Sequence, residues 1–118
     1  MAIKQWLASK TGEQAEQQAK EYLLQAGLTF IEQNYKVKSG EIDLIFKHEQ
    51  LWVFVEVKYR QDSDFGFAAE YFTPSKRAKM LRAIACFFTD LGKNIHHEPL
   101  RLDLVAIDDD QLQWFKNV

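Results

Sequence analysis

The sequence is 118 residues long, enough for one compact domain. Hydrophobic residues make up 47% and charged residues 27%, a globular mixture that excludes a disordered chain. A net charge of −2 and a pI near 5.9 argue against tight nonspecific nucleic-acid binding, while leaving room for a local basic patch.

The chain opens on MAIKQWLASK, whose apolar part is too short for a secretory signal. No later apolar run reaches spanning length, so a soluble cytoplasmic protein without membrane contact is expected. Residues 1–10 read as a loose arm, with Trp6 and Leu7 able to pack back onto the domain. Thr11-Gly12-Glu13-Gln14 is a capping-box pattern. Ala15, Ala19, Tyr22, Leu23 and Ala26 follow at helical spacing, and Gly27 stands where a C-terminal cap belongs. The spacing predicts an amphipathic helix over roughly 12–26. Glu16 falls at the edge of its apolar stripe, where a side chain can enter a cleft.

Three strand patterns come next, over 28–37, 41–46 and 51–59. Ser39-Gly40 separates the first two, and residues 47–50 are short and polar enough for a hairpin loop. Thr73-Pro74-Ser75 starts a second helix that runs to about Leu91, before Gly92. Its buried stripe is Met80, Leu81, Ile84, Phe87 and Phe88. Cys86 lies among these apolar residues as a packed thiol, and a lone cysteine excludes an internal disulfide. His96-His97 has no metal-ligand spacing with any partner. A fourth strand over 101–107, a turn at Asp108–Asp110 and a short strand over 111–115 complete the chain. No repeat, linker or low-complexity tract divides it, so one domain is expected over 1–118. The order predicts an antiparallel meander, then a helical crossover to a parallel fourth strand: a mixed α/β sheet flanked by helices.

The charges within the strands are the informative feature. In VFVEVKYR, Trp52, Phe54, Glu56 and Lys58 share one face, and Val53, Val55 and Val57 the other. In GEIDLIF, alternation puts Glu41, Asp43 and Ile45 on one side. With a four-residue loop at 47–50, Phe46 pairs with Leu51, Asp43 faces Phe54 and Glu41 faces Glu56. Glu41, Asp43, Glu56 and Lys58 then project from one face, with Asp43 and Glu56 as diagonal neighbours. Such a face is either a solvated cross-strand network or a site. Aromatic neighbours on the same face, and an Asp inside IDLIF, favour the site. Clustered carboxylates repel, and a hard divalent cation such as Mg²⁺ compensates them. Lys58 then orients water or stabilises transition-state charge, and phosphodiester hydrolysis is the chemistry that uses these parts.

Asp43 followed by Glu56-Val57-Lys58 resembles the D…ExK signature of the PD-(D/E)xK nuclease superfamily. The words GEQAEQQAKEYLLQAGL, NYKVKSGEIDLI, FVEVKYRQDSDFG and RLDLVAI run from Gly12 to Ile107 in the order of one branch. That branch is the YraN-like family of putative endonucleases, similar to archaeal Holliday junction resolvases. The resemblance implies a restriction-endonuclease-like three-layer α/β/α fold and Mg²⁺- or Mn²⁺-dependent cleavage of DNA, branched DNA included. It implies Asp43, Glu56 and the Val57 carbonyl as metal ligands, Lys58 as the catalytic lysine and Glu16 as the helix glutamate that completes the site. Glu41 is typical of the family and an accessory candidate, and Arg60 and Gly66 match its arginine and glycine. Lys76 matches a family lysine of the second helix. With Lys36, Lys38, Lys58, Arg60, Lys79 and Arg82 it would line a basic cleft for DNA phosphates. Asp103 matches a family aspartate, and its strand face is shared with Arg101, so an ion pair with a supporting role outweighs catalysis. Dimerisation is implied by analogy with the resolvases. A nuclease-fold module that binds DNA or a protein without cutting remains the alternative, and RNA as substrate is a third reading.

Overall fold

The computed structural model describes residues 11–61 and 66–118. The expected N-terminal arm with Trp6 and Leu7 lies outside them. Helix α1 (Gly12–Gln25) starts on the expected capping box: Thr11 Oγ1 accepts from the Gln14 N–H at 3.1 Å, and Gln14 Oε1 accepts from the Thr11 N–H at 2.8 Å. It stops at Gly27, whose φ of 99° lets the Leu28 N–H turn back to the Leu23 carbonyl at 3.2 Å. Ala15, Ala19 and Leu23 are its buried residues.

Strands β1 (Thr29–Val37), β2 (Gly40–His48) and β3 (Leu51–Arg60) form the antiparallel meander. A 3-10 turn (Ala68–Tyr71) then leads into α2 (Pro74–Asp90), capped by Thr73, whose hydroxyl accepts from the Lys76 N–H at 3.2 Å. A second 3-10 turn (Ile95–His97) precedes β4 (Leu100–Asp108) and β5 (Gln111–Phe115). The sheet order is β1-β2-β3-β4-β5, with β3 and β4 parallel across the α2 crossover. The described residues are therefore α/β, with a mixed five-stranded sheet and two α-helices, as the element order predicts. The two 3-10 turns were not predicted.

Each face of the sheet carries its own core. On one, Ala15, Ala19 and Leu23 pack on Leu44, Phe46, Val53, Val55, Val105 and Ile107. On the other, Met80, Ala83, Ile84, Phe87 and Phe88 cover Ile42, Ile45, Trp52, Phe54 and Leu102. Trp52 and Phe54 each meet Phe87 and Phe88 edge-to-face, with ring centroids 5.4–5.8 Å apart. Burying one such side chain contributes roughly 1.5–3 kcal/mol, so these residues hold α2 against the sheet.

Two details of register differ from expectation. The β2–β3 connection is a two-residue turn, Glu49-Gln50, with Glu49 at φ 58° and His48 paired with Leu51. Lys47 and His48 belong to the ladder, so Phe46 pairs with Val53 rather than Leu51, and Ile45, not Asp43, faces Phe54. A slip of two residues leaves the side-chain faces of β3 unchanged. Strict alternation also fails in β2, because Ile42 joins Ile45 on the α2 side. The break falls at Asp43, beside Asn34 of β1, which adopts a left-handed φ of 54°. Among the described residues no helix is long and apolar enough to cross a membrane.

Candidate functional site

The site lies where the sheet forks. Pairing between β2 and β3 runs from His48↔Leu51 to Leu44↔Val55 and stops there. Beyond that point β2 continues with β1 as far as Val37↔Gly40, while β3 continues with β4 as far as Arg60↔Asp108. Asp43 is the first β2 residue past the last pair. Its Oδ2 accepts the Val57 N–H at 2.8 Å, supplying the acceptor that a β2 carbonyl no longer offers. An Asp in the middle of a hydrophobic strand is thus explained by a backbone donor that the fork would leave unpaired. Asp43 is only 8% exposed.

Glu56 stands at the matching position of β3, close enough for the two carboxyls to act on each other. Burial, and then the Glu56 charge, push Asp43 up to about 8, against the pull of the Val57 N–H. Glu56 is raised as well, by burial, and is opposed first by the Lys76 ammonium, then by the Asp43 hydrogen bond and more weakly by Lys58. Without a cation both carboxyls are harder to ionise than in water. Lys58 is the only lysine that the strand alternation placed beside these carboxylates. Lys76, exposed in the first turn of α2, has the larger effect on Glu56.

Lys58 shares a narrow crevice with Glu56, Tyr71, Phe72, Lys76 and Leu104. Its Nζ lies 4.9 Å from the centre of the Tyr71 ring, and the Arg60 guanidinium carbon lies 5.0 Å from the same ring. Glu16 is half-buried on α1 and hydrogen-bonds Asn34; burial and Glu41 raise its carboxyl, and Lys36 opposes them. Glu16 and Glu41 both act on Asp43, less strongly than Glu56 does. Glu41 does not face Glu56, since its strand partner is Lys36 of β1. Among the described residues no three His, Cys, Asp or Glu side chains gather into a metal-ligand set. The tight unit is the Asp43–Glu56 pair.

The predicted basic residues divide into two groups. Lys36, Lys38, Lys79 and Arg82 line one open groove of about 580 Å³, together with Gly40 and Glu41, between the β1–β2 turn and α2. Its walls touch at Gly40, where an added Cβ would stand 2.7 Å from the Lys79 carbonyl oxygen. Arg60 and Lys76 lie instead on the Lys58 side, around Tyr71 and Glu56. Lys36 and Glu41 connect the groove to the carboxylates, since Lys36 acts on Glu16 and Glu41 on Asp43.

Asp103 has a different setting. It is fully buried and accepts from Arg101 Nε at 2.8 Å, Arg101 Nη2 at 2.9 Å, Trp114 Nε1 at 2.8 Å and the Asn117 N–H at 3.0 Å. These bonds tie the segment after β5 to β4, a supporting role. Sequence reasoning missed Tyr71 and Asn34. An Asn inside a strand pattern is a signal for left-handed backbone. For Tyr71, an aromatic residue just before a helix cap, no local rule points to a site.

The model of the uncharacterised protein family UPF0102 matches residues 15–107, a span holding Glu16, Glu41, Asp43, Glu56, Lys58, Lys76 and Asp103. The chain is 41% identical over 117 residues to a UPF0102 protein of Photorhabdus laumondii, covering 99% of this chain and 93% of that one. It is 45% identical over 108 residues to a UPF0102 protein of Vibrio vulnificus, covering 90% and 88%. A UPF0102 protein of Shewanella oneidensis is 41% identical over 103 residues, covering 87% and 93%. On this agreement along nearly its whole length, the chain belongs to the UPF0102 (YraN-like) family.

Proposed function

We propose that this protein is a divalent-metal-dependent endonuclease that hydrolyses DNA phosphodiester bonds, with branched DNA among its substrates, on a restriction-endonuclease-like fold. The observation that carries the reading is the Asp43–Glu56 pair: two neighbouring carboxyls at a fork in the sheet, one buried and one half-buried, each raising the cost of ionising the site, with Lys58 and Lys76 beside them. A purely structural site gains nothing from setting a buried carboxyl beside a half-buried one, which is costly without a counter-charge.

The donor set fits Mg²⁺ or Mn²⁺: hard carboxylate oxygens, with no thiol or imidazole among the described residues that line the crevice. Asp43, Glu56 and the Val57 carbonyl would hold the ion. Such an ion, when bound, supplies Lewis acidity toward a phosphoryl oxygen and a more acidic water. The chain's own groups do the rest. Lys58 presents a fixed positive charge to the phosphoryl oxygens, whose charge grows as water attacks phosphorus and the ester oxygen leaves. Lys76 adds a second charge from α2. Lys36, Lys38, Lys79 and Arg82 hold the backbone of the nucleic acid along the groove.

The test is cleavage of linear, single-stranded, flap and four-way-junction DNA with Mg²⁺ or Mn²⁺, with Asp43→Ala and Lys58→Ala alongside. Metal-dependent cutting lost in both variants supports the reading, and cutting that persists in both removes it. A second reading, a module on this fold that binds DNA without cutting, is favoured by the failure of Glu16 and Glu41 to join the carboxylate pair in one ligand set among the described residues. Junction binding without cleavage of any substrate would select it. The same assay run on structured RNA separates RNA from DNA as the target.

A further inference from the structure

We propose that Tyr71 is the positioning residue of the site, holding Lys58 and Arg60 on its ring in a fixed direction. This rests on the nuclease reading, because it assigns Tyr71 a part in placing the reactive lysine.

Lys58 and Arg60 stand two apart on β3 and therefore point to one side. Adjacent like charges on flexible stems repel and scatter over many rotamers. Here both approach one aromatic ring, at 4.9 and 5.0 Å, within the range of cation–π attraction. Among the described residues Lys58 takes part in no ion pair. The Arg60 Nε is buried with no hydrogen-bond partner among them. The ring is thus the observed contact that orders these two cations.

The turn that carries the ring is anchored apart from them. Tyr71 ends the 3-10 turn that starts at Ala68, which is fully buried against Leu104 and Ala106 of β4. The Ala68 N–H donates to Asp108 Oδ1 at 2.7 Å, and the Phe72 N–H closes the turn on the Ala69 carbonyl at 3.2 Å. A turn anchored on β4 therefore presents an aromatic surface to cations on β3. A charge placed before the reaction costs no reorganisation during it, which is what a catalytic lysine requires.

The experiment compares Tyr71→Leu, which removes the ring, with Tyr71→Phe, which keeps it. NMR of the Lys58 ε-methylene protons reads the ring directly through its ring-current shift. That shift is expected to vanish in Tyr71→Leu and to persist in Tyr71→Phe. In Mg²⁺-dependent cleavage, Tyr71→Leu should lower kcat about tenfold with Mg²⁺ affinity unchanged, and Tyr71→Phe should restore most of the loss. In a Lys58→Met background, Tyr71→Leu should lower residual kcat no further. A Lys58 shift that survives Tyr71→Leu overturns the proposal. So do equal kcat losses in the Leu and Phe variants, or an undiminished loss in the Lys58→Met background. If the wild-type protein cuts nothing, the nuclease reading falls, and the NMR comparison alone decides whether Tyr71 orders Lys58.

Discussion

Asp43 Oδ2 accepts the backbone N–H of Val57 at 2.8 Å, a side chain standing where a strand would be. This one bond joins the fold to the site. It satisfies the edge of β3 opened by the fork, and it fixes Asp43 against Glu56. A carboxyl serving the backbone and a second carboxyl together cannot easily ionise, and that conflict yields a prediction about pH.

The pH prediction follows from the raised carboxyl of Asp43, which holds its proton to about pH 8 in the folded protein and only to its ordinary 3.8 when unfolded. Between those values the native state binds more protons than the unfolded state, so stability falls as pH rises. The contribution is complete below the unfolded value and gone above the folded one. Metal-free protein should therefore melt at a lower temperature at pH 8 than at pH 5. Asp43→Asn should flatten this slope and stabilise the metal-free protein at pH 8, by an amount on the order of a few kcal/mol. Mg²⁺ should raise the wild-type midpoint at pH 8 and leave Asp43→Asn nearly unmoved. Thermal melts at both pH values, with Mg²⁺ and with chelator, check all three outcomes. Equal slopes in the two proteins would remove the buried pair as their source.

Lys58 and the carboxylates should separate binding from turnover. Removing a positive charge from beside Asp43 and Glu56 favours cation binding by simple electrostatics. Lys58→Met is expected to bind Mn²⁺ at least as tightly as wild type by calorimetry while losing about 10²–10³ in kcat. Lys76→Met should also tighten the ion, because Lys76 is the larger positive influence on Glu56. Weaker Mn²⁺ binding in both variants would mean that the lysines support the ion rather than compete with it.

Much of this site could be read from residue spacing, and the unread part has definite causes. The face shared by Trp52, Phe54, Glu56 and Lys58 follows from alternation in a strand that stays paired with β4 from Trp52 to Arg60. The helix ends followed from Thr11, Gly27 and Thr73, whose capping chemistry is local. The hairpin register was misread by two residues because Lys47 and His48 look like loop but sit in the ladder, and the turn is only Glu49-Gln50, with Glu49 at positive φ. The fork could not be read at all. It depends on Asn34 turning left-handed opposite the break at Asp43, a relation between two strands that no single segment carries. Tyr71 was missed for the same reason, since its partners come from a different element.

Gly40 offers a test of the basic groove that changes no charge. An added Cβ would lie 2.7 Å from the Lys79 carbonyl oxygen and 3.2 Å from its carbon, both backbone atoms that cannot step aside. Gly40→Ala should push the β1–β2 turn off α2, costing roughly 1–3 kcal/mol and weakening DNA binding by separating Lys36 and Lys38 from Lys79 and Arg82. Gly12→Ala is the control, because nothing lies within 4 Å of its added Cβ and the site is the first turn of a helix. It should be neutral or slightly stabilising. Melting temperatures and binding to a junction at fixed salt read both effects. For comparison, Lys79→Ala or Arg82→Ala should lower the salt dependence of binding by about one unit of slope with little effect on melting.

Asp103 should behave as the opposite of Asp43, although both are buried acids on neighbouring parts of one sheet. Its carboxylate takes two bonds from Arg101, one from Trp114 and one from the Asn117 N–H, so its charge is matched and its oxygens are satisfied. Removing one partner of a buried pair leaves the other charge stranded, a loss of roughly 3–5 kcal/mol. Asp103→Ala is therefore expected to lower the melting temperature strongly at any pH near neutrality. Arg101→Met in the same chain should recover part of the loss, since it withdraws the stranded guanidinium. Mg²⁺ affinity per folded molecule should stay at the wild-type value, because every bond of Asp103 lies within β4 and the β5 end of the chain. A variant that keeps its stability but loses metal binding would move Asp103 from the scaffold into the site.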